Sequence, residues 1–256
     1  MAQRPSRSLQ HEYELYVERE IENYKESLPR SVLLSIGDEA VQALAAQQQF
    51  ALTELLLVDE VDKIIFKRLR LPVMATWRKR RIKLMEEMRR PEHWGLSADD
   101  IVVRAAQTVT ASSRVLVAGT QVETPTLYLA ANGCEVTAFA GPEDVQRVLD
   151  AAEQAGLGER VHASAVALDS WTPDHPLTAV IYSPAAFAGL STAERARVIQ
   201  VLQSATADGG VHLVQTIAAG KRTPVSFDEL RRRYRGWDVT VVEGAPNSFL
   251  ARKLIA

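Results

Sequence analysis

Residues 115–123 read Val-Leu-Val-Ala-Gly-Thr-Gln-Val-Glu. A β-rich run that ends in Gly119 and continues into Thr120, Gln121 and Glu123 stands where an α/β protein puts its first strand and first ligand loop. Glycine in such a loop lets the main chain approach a ligand without a side chain in the ligand's volume. One glycine is few for that task, and Thr120, Gln121 and Glu123 are the polar groups left to make contacts.

Other residues with chemical potential are more scattered. His11, His93, His162, His175 and His212 show no His-x-x-x-His or His/carboxylate spacing, so no metal site is expected. His162 and His212 fall in expected strands and read as packed or surface residues. The single cysteine, Cys134, follows Asn132-Gly133 and reads as a structural thiol; alone, it excludes an intramolecular disulfide. There is no Gly-x-Ser-x-Gly elbow and no phosphate-binding P-loop. Tyr182-Ser183-Pro184 ends an expected strand, so Tyr182 is a candidate cleft residue, although it reads equally well as core. Residues 67–90 hold ten Lys/Arg against two Glu, with Trp77 among them and Trp94 beyond. That pattern can track a nucleic-acid backbone. Pairing with the acidic helix at 12–26, within the chain or between subunits, is the favoured reading.

These groups must be positioned by two stretches with different patterning. Residues 1–110 carry helical periodicity: helices are expected over 11–28, 31–49, 52–71, ended by Pro72, and 74–90, closed by Pro91. A linking helix at 98–110 is expected with Ser97 as its N-cap. From Arg114 onward, short β-rich runs alternate with helical ones. Strands are expected at 114–119, 135–140, 160–166, 177–183, 211–217, 237–243 and 248–255, with helices near 123–132, 143–156, 192–206 and 226–235. Ser191…Glu194 and Ser226…Glu229 have capping-box spacing. Gly133, Gly156 and Gly209-Gly210 stand where helix C-caps belong. Such alternation predicts a mainly parallel sheet covered on both faces, and the short 244–247 connection predicts an antiparallel hairpin at its end.

The 256 residues, 46% apolar and 24% charged with a net charge of −2, suit a soluble globular protein and give no global attraction to nucleic acid or anionic membrane. No apolar run approaches a membrane span and the N-terminus has no secretory h-region, so a cytoplasmic location is expected.

In its order of elements the chain from about 112 to 256 resembles the class I S-adenosylmethionine (SAM)-dependent methyltransferases. The phrases VLVAG, LYLAANGCEVTAF, AAEQAGLGERVHASAVAL, LTAVIYSPAAFAGLS and ATADGGVHLVQTI carry that resemblance. The closing DELRRRYRGWDVTVVE…NSFLARK is similar to small-molecule methyltransferases of the tellurite-resistance type. The resemblance implies a Rossmann-like α/β fold of seven strands over 111–256, with a C-terminal antiparallel hairpin; the helical periodicity before it implies an all-α domain over 1–110. It further implies a SAM pocket formed by Gly119, Thr120, Gln121, Glu123, Ala140, Gly141, Val166, Asp169 and Tyr182.

Against that family's pattern several polar handles are missing. The acidic position near the end of the first strand is Val117. Two loop-glycine positions are Gln121 and Glu123, the latter with bulk and charge where the ligand's carboxylate would lie. The ribose-binding acid is replaced by Ala140, and the adenine-side acid by Val166, or stands at Asp169 if the register shifts. Each lost charged hydrogen bond costs about 1.5–3 kcal/mol, so the losses together would remove several powers of ten in affinity. The expectation is therefore a methyltransferase-like protein with a degenerate SAM site: no cofactor, no assigned catalytic residue, and a scaffold, regulatory or oligomerising role. The helical domain would supply a homo-oligomer contact, such as a dimer, or bind a protein partner. The alternatives are an active small-molecule methyltransferase with a rebuilt cofactor loop, which would use SAM, and a nucleic-acid-binding module at 67–90.

Overall fold

A computed structural model describes residues 8–46, 54–215, 227–242 and 248–255. The chain divides into two compact units, Met1–Leu84 and Met85–Ala256.

The first unit is helical. It contains α1 (Leu9–Ser27), α2 (Arg30–Ala46) and α3 (Glu54–Arg68), and α4 (Met74–Met88) runs across the division. Ser8 caps α1 by accepting from the His11 amide. The apolar residues at helical spacing meet as expected: Ile21, Ile36, Ala40, Ile64 and Ile65 form a core, with Val17, Tyr24, Val61 and Phe66 against it. On α4, Trp77 lies 5.5 Å from the Tyr13 ring and 6.0 Å from that of Tyr16. Tyr13 donates to the Pro72 carbonyl at 3.1 Å, and Arg81 meets Glu12 at 3.3 Å. The acidic α1 and the basic α4 thus pair inside the unit.

The second unit is a seven-stranded sheet in the order β3-β2-β1-β4-β5-β7-β6. Its strands are β1 (Arg114–Ala118), β2 (Glu135–Phe139), β3 (Val161–Ser164), β4 (Leu177–Tyr182), β5 (Thr206–Gln215), β6 (Asp238–Val241) and β7 (Ser248–Arg252). The first five pair in parallel, and β7 runs antiparallel between β5 and β6. The 244–247 connection lies outside the described residues. Helices α5 (Ile101–Ala106), α6 (Glu123–Ala131), α7 (Pro142–Gln154), α8 (Thr192–Ala205) and α9 (Phe227–Arg232) flank the sheet.

The period of two along each strand divides the apolar residues between two cores. Val115, Val117, Ala179, Ile181, Val211 and Leu213 face the core that holds α6 and α7 residues. Leu116, Ala118, Val180, Tyr182 and Val214 face the core with α8 and α9 residues. Met88, Ile101, Val102, Val103 and Ala105 pack into the first of these cores. The change of pattern near residue 110 is thus a change of secondary structure, and the compact units divide earlier, at Leu84/Met85.

Two local expectations are corrected. The linking helix is capped by Asp100, whose carboxylate accepts from the Val102 amide at 2.8 Å, rather than by Ser97, and it spans only Ile101–Ala106. Gly209-Gly210 is no helix cap but lies inside β5, where the register against β4 shifts between Leu177 and Ala179. A Cβ on Gly210 would stand 2.6 Å from the Thr206 methyl and 2.8 Å from the Ala207 carbonyl, so the bulge has no room for a side chain. The expected strand at 211–217 and the helices at 31–49 and 52–71 extend past the described residues, as does the Ser226 cap. The Ser191…Glu194 capping box is formed in both directions, at 3.3 and 2.7 Å. Ser191→Ala is expected to lower stability by about 1 kcal/mol, measurable as a shifted urea midpoint at unchanged m-value.

Candidate functional site

The sheet order reverses between β1 and β4, because β1 leads outward to β2 and β3 while β4 leads to β5. The crevice beyond the carboxyl ends of these two strands is the natural ligand position in such a sheet. Main-chain bonds align the strand ends there. The Gly119 amide donates to the Phe139 carbonyl at 3.0 Å, the Ala140 amide to the Ser164 carbonyl at 3.3 Å, and the Ser183 amide to the Ala118 carbonyl at 3.1 Å. Gly119, Ala140 and Ser183 therefore form one contiguous rim.

At the centre of this rim is Gly119, with φ +125°. A Cβ on it would stand 2.1 Å from the Ser183 hydroxyl oxygen. That hydroxyl also accepts from the Thr120 amide at 3.4 Å. The volume spared by glycine is thus taken by Ser183. Gln121 has φ +54°, the left-handed conformation that glycine adopts without strain. The loop keeps a glycine-type backbone with a glutamine side chain on it.

Of the other pocket positions, Val117 is buried in the first core, paired with Ala138 and Ile181 on the neighbouring strands. Glu123 opens α6 and is half-buried, where a carboxylate complements the helix dipole. Ala140 leads through the exposed Gly141 into α7. The nearest carboxylates in the chain, Glu143 and Asp144, are in the first turn of α7, and Asp144 pairs with Arg147 at 3.0 Å. Val166 is 55% exposed beyond β3, and Asp169 is exposed in the short 3-10 turn Leu168–Ser170.

Tyr182 takes the core position of its two readings. Its side chain is 1% exposed and lies in the second core, because residue 182 shares the strand face of Val180. The residue that reaches the loop is its neighbour Ser183.

Tyr182 begins a buried polar chain. Its hydroxyl meets that of Tyr234 at 2.7 Å; the Tyr234 hydroxyl meets His212 Nδ1 at 2.7 Å; and His212 Nε2 meets Thr206 Oγ1 at 2.7 Å. The Thr206 hydroxyl donates to the Leu202 carbonyl at 2.7 Å. Since each hydroxyl has one proton, the donors run one way: Tyr182 to Tyr234, Tyr234 to Nδ1, Nε2–H to Thr206, Thr206 to Leu202. A neutral imidazole satisfies every member. Burial, with the Lys253 charge nearby, holds the His212 pKa down to about 3. Burial raises the Tyr182 and Tyr234 phenols well above their ordinary range. Burial also pushes the Cys134 thiol up to about 11, so it stays a thiol in the core.

In the basic stretch, Arg78, Lys79, Arg80 and Lys83 are exposed, whereas Trp77 and Arg81 are engaged by α1. Among the described residues no group of three or more His, Cys, Asp and Glu is arranged to hold a metal ion, and no helix is long and apolar enough to cross a membrane.

Comparison with known proteins places the chain in a family. The family described as tellurite resistance protein TehB matches residues 93–244. Among solved structures, TehB from Haemophilus influenzae is 20% identical, with a TM-score of 0.47, covering 59% of this chain and 61% of that one. A SAM-dependent methyltransferase from Geobacter sulfurreducens in complex with S-adenosyl-L-homocysteine is 18% identical, with a TM-score of 0.41, covering 54% and 62%. An rRNA methylase from Streptococcus thermophilus is 15% identical, with a TM-score of 0.48, covering 65% and 98%. The chain thus spans under two thirds of the length of the first two. No curated protein matches it.

Proposed function

The chain belongs to the tellurite resistance protein TehB family, and from that premise we propose that its α/β unit keeps the methyltransferase fold without the polar grip by which such a fold holds SAM. It then acts through its surfaces, as a self-associating scaffold or regulatory protein. The observation that carries this reading is the rim of the crevice. The end of β2 offers Ala140 and no carboxylate for a ribose diol, and Ser183 fills the space over Gly119. The residues present do not fit SAM in the family's manner, so no methyl-transfer step is assigned to them.

A surface role is supported by where apolar side chains are exposed. Of the twelve large hydrophobic residues exposed among the described residues, eight (Val32, Leu34, Val41, Leu55, Val58, Val73, Ile82 and Leu84) lie in the helical unit. Apart from Val73 they are spread over α2, α3 and α4, and an exposed apolar residue that meets others in a patch marks a contact surface. Sedimentation equilibrium is expected to show a dimer, weakened by Leu34→Glu; a monomer at all concentrations would remove the self-association.

The cofactor question is tested by calorimetric titration with SAM and with S-adenosylhomocysteine. Wild type is expected to give no binding heat up to about 1 mM ligand, a ceiling of about −4 kcal/mol. Ala140→Asp combined with Gln121→Gly, which restores a diol acceptor on a loop already shaped for glycine, is expected to gain measurable affinity. Micromolar binding by wild type would overturn the reading. It would favour the second one, an active methyltransferase with a rebuilt loop, which draws support from the exposed Thr120 and Gln121 beside a complete sheet. In that case Gln121→Ala and Glu123→Ala should weaken binding.

A further inference from the structure

The structure points to a ligand site remote from the crevice and independent of the reading above: we propose that Arg231, Arg232 and Arg235 form an anion site for the polyphosphate group of a small phosphorylated molecule. These three arginines and Asp228 line an open surface hollow of about 540 Å³.

Their shared face follows from what is buried. Leu230 and Tyr234, four residues apart, are 1% and 2% exposed and anchor this segment to the second core. Arg231 and Arg232 end α9, Arg235 stands in the turn that follows, and all three are exposed on the same hollow. The anchor is rigid. Tyr234 is held by hydrogen bonds from two sides, to Tyr182 and to His212, and its ring packs against Trp237 and Phe249 at 5.4 and 5.3 Å. Arg232 is further fixed by Nε donating to the Asp228 carbonyl at 3.1 Å. A fixed segment removes the backbone part of the ordering cost when its guanidinium groups bind phosphate oxygens.

The hollow lies toward the opposite end of the sheet from the crevice. Arg195, near the start of α8, meets Glu229, near the start of α9, at 3.6 Å. Gln203, near the end of α8, donates to the Arg233 carbonyl at 3.1 Å. The two helices therefore run side by side in the same direction, and the end of α8 leads directly into the start of β5. Arg231–Arg235 thus stand near the amino ends of the strands.

Two arginines in the last turn of α9 would complement the helix dipole by themselves. The dipole gives no reason for a third on the same hollow, where like charges repel one another. A bound polyanion does. A short ligand fits better than a nucleic-acid backbone because carboxylates bracket the cluster along the chain: Asp228 in the hollow and Asp238 at the start of β6. These would repel a chain that extends beyond two or three phosphate groups.

The test is calorimetric titration of the full chain with tripolyphosphate at about 50 and about 200 mM salt. Binding is expected at the lower salt and should weaken at the higher. Arg231→Gln/Arg235→Gln should weaken it about tenfold or more, and Asp228→Asn should strengthen it. Arg78→Gln/Lys79→Gln, on α4, should leave it unchanged. Circular dichroism of each variant separates lost binding from lost folding. Inorganic phosphate should bind more weakly than tripolyphosphate, and a nucleoside triphosphate at least as well as tripolyphosphate. The proposal is overturned by no binding of tripolyphosphate at the lower salt, by binding that follows the α4 pair instead, or by a single-stranded oligonucleotide that binds more tightly than tripolyphosphate.

Discussion

His212→Gln is expected to cost about 3 kcal/mol at neutral pH, because it disturbs a fully satisfied buried chain at its centre. It is also expected to flatten the acid side of the stability profile. In the folded protein burial holds the imidazole pKa near 3, against an ordinary value of 6.5. Between these values the unfolded chain binds a proton that the folded chain refuses. The stability from the neutral ring is complete above about pH 6.5 and is lost as pH falls toward 3, by up to about 1.4 kcal/mol for each pH unit. Carboxylates add their own acid dependence, so the measure is the difference between wild type and variant. Urea unfolding at several pH values from about 7 to about 4 supplies it. Parallel curves for the two proteins would show that His212 is charged in the folded state, against the donor assignment from Tyr182 to Leu202.

Gly119→Ala is the second large effect. The new methyl would stand 2.1 Å from the Ser183 hydroxyl oxygen and 3.2 Å from its Cβ, on a backbone with φ +125°. Overpacking and backbone strain together should cost about 2–4 kcal/mol. Ser183→Gly in the same chain removes the side-chain clash and leaves the backbone strain and the 3.3 Å approach to the residue 183 nitrogen, so a double-mutant cycle should show a favourable coupling of about 1–2 kcal/mol. Additive effects would mean that Ser183 moves aside freely and that the space over Gly119 remains open to a ligand. The cycle therefore bears on the cofactor question without any cofactor present.

Much of the fold was legible in the residues. The alternation of β-rich and helical runs from Arg114 onward predicted the seven strands, because period two and period 3.6 are imposed by backbone geometry and show wherever one face is buried. The Ser191…Glu194 cap was legible because it depends on four consecutive residues. Asp100 as the working cap was less so, since Ser97 and Asp99 are equally good in isolation, and which residue adopts extended backbone depends on how Ile101–Val103 reach the core. Gly209-Gly210 misled for a similar reason: a glycine pair after a helix satisfies a C-cap and a β-bulge alike. The choice fell to Thr206 and Leu177, which pair across β5 and β4 before the bulge.

By itself the sequence determined the α/β architecture, the family resemblance and the absence of carboxylates from positions 117, 140 and 166, because these are properties of residue type and spacing. Tertiary structure alone decided what stands beside what. Ser183 over Gly119 and the His212–Tyr234–Tyr182 chain join residues 22 to 64 positions apart. Neighbours at such separations are set by strand order and helix docking, which no local pattern encodes. The arginine hollow has the same origin: Arg-Arg-Arg-Tyr-Arg reads as a run of charge, and only the burial of Leu230 and Tyr234 turns three of those charges onto one face.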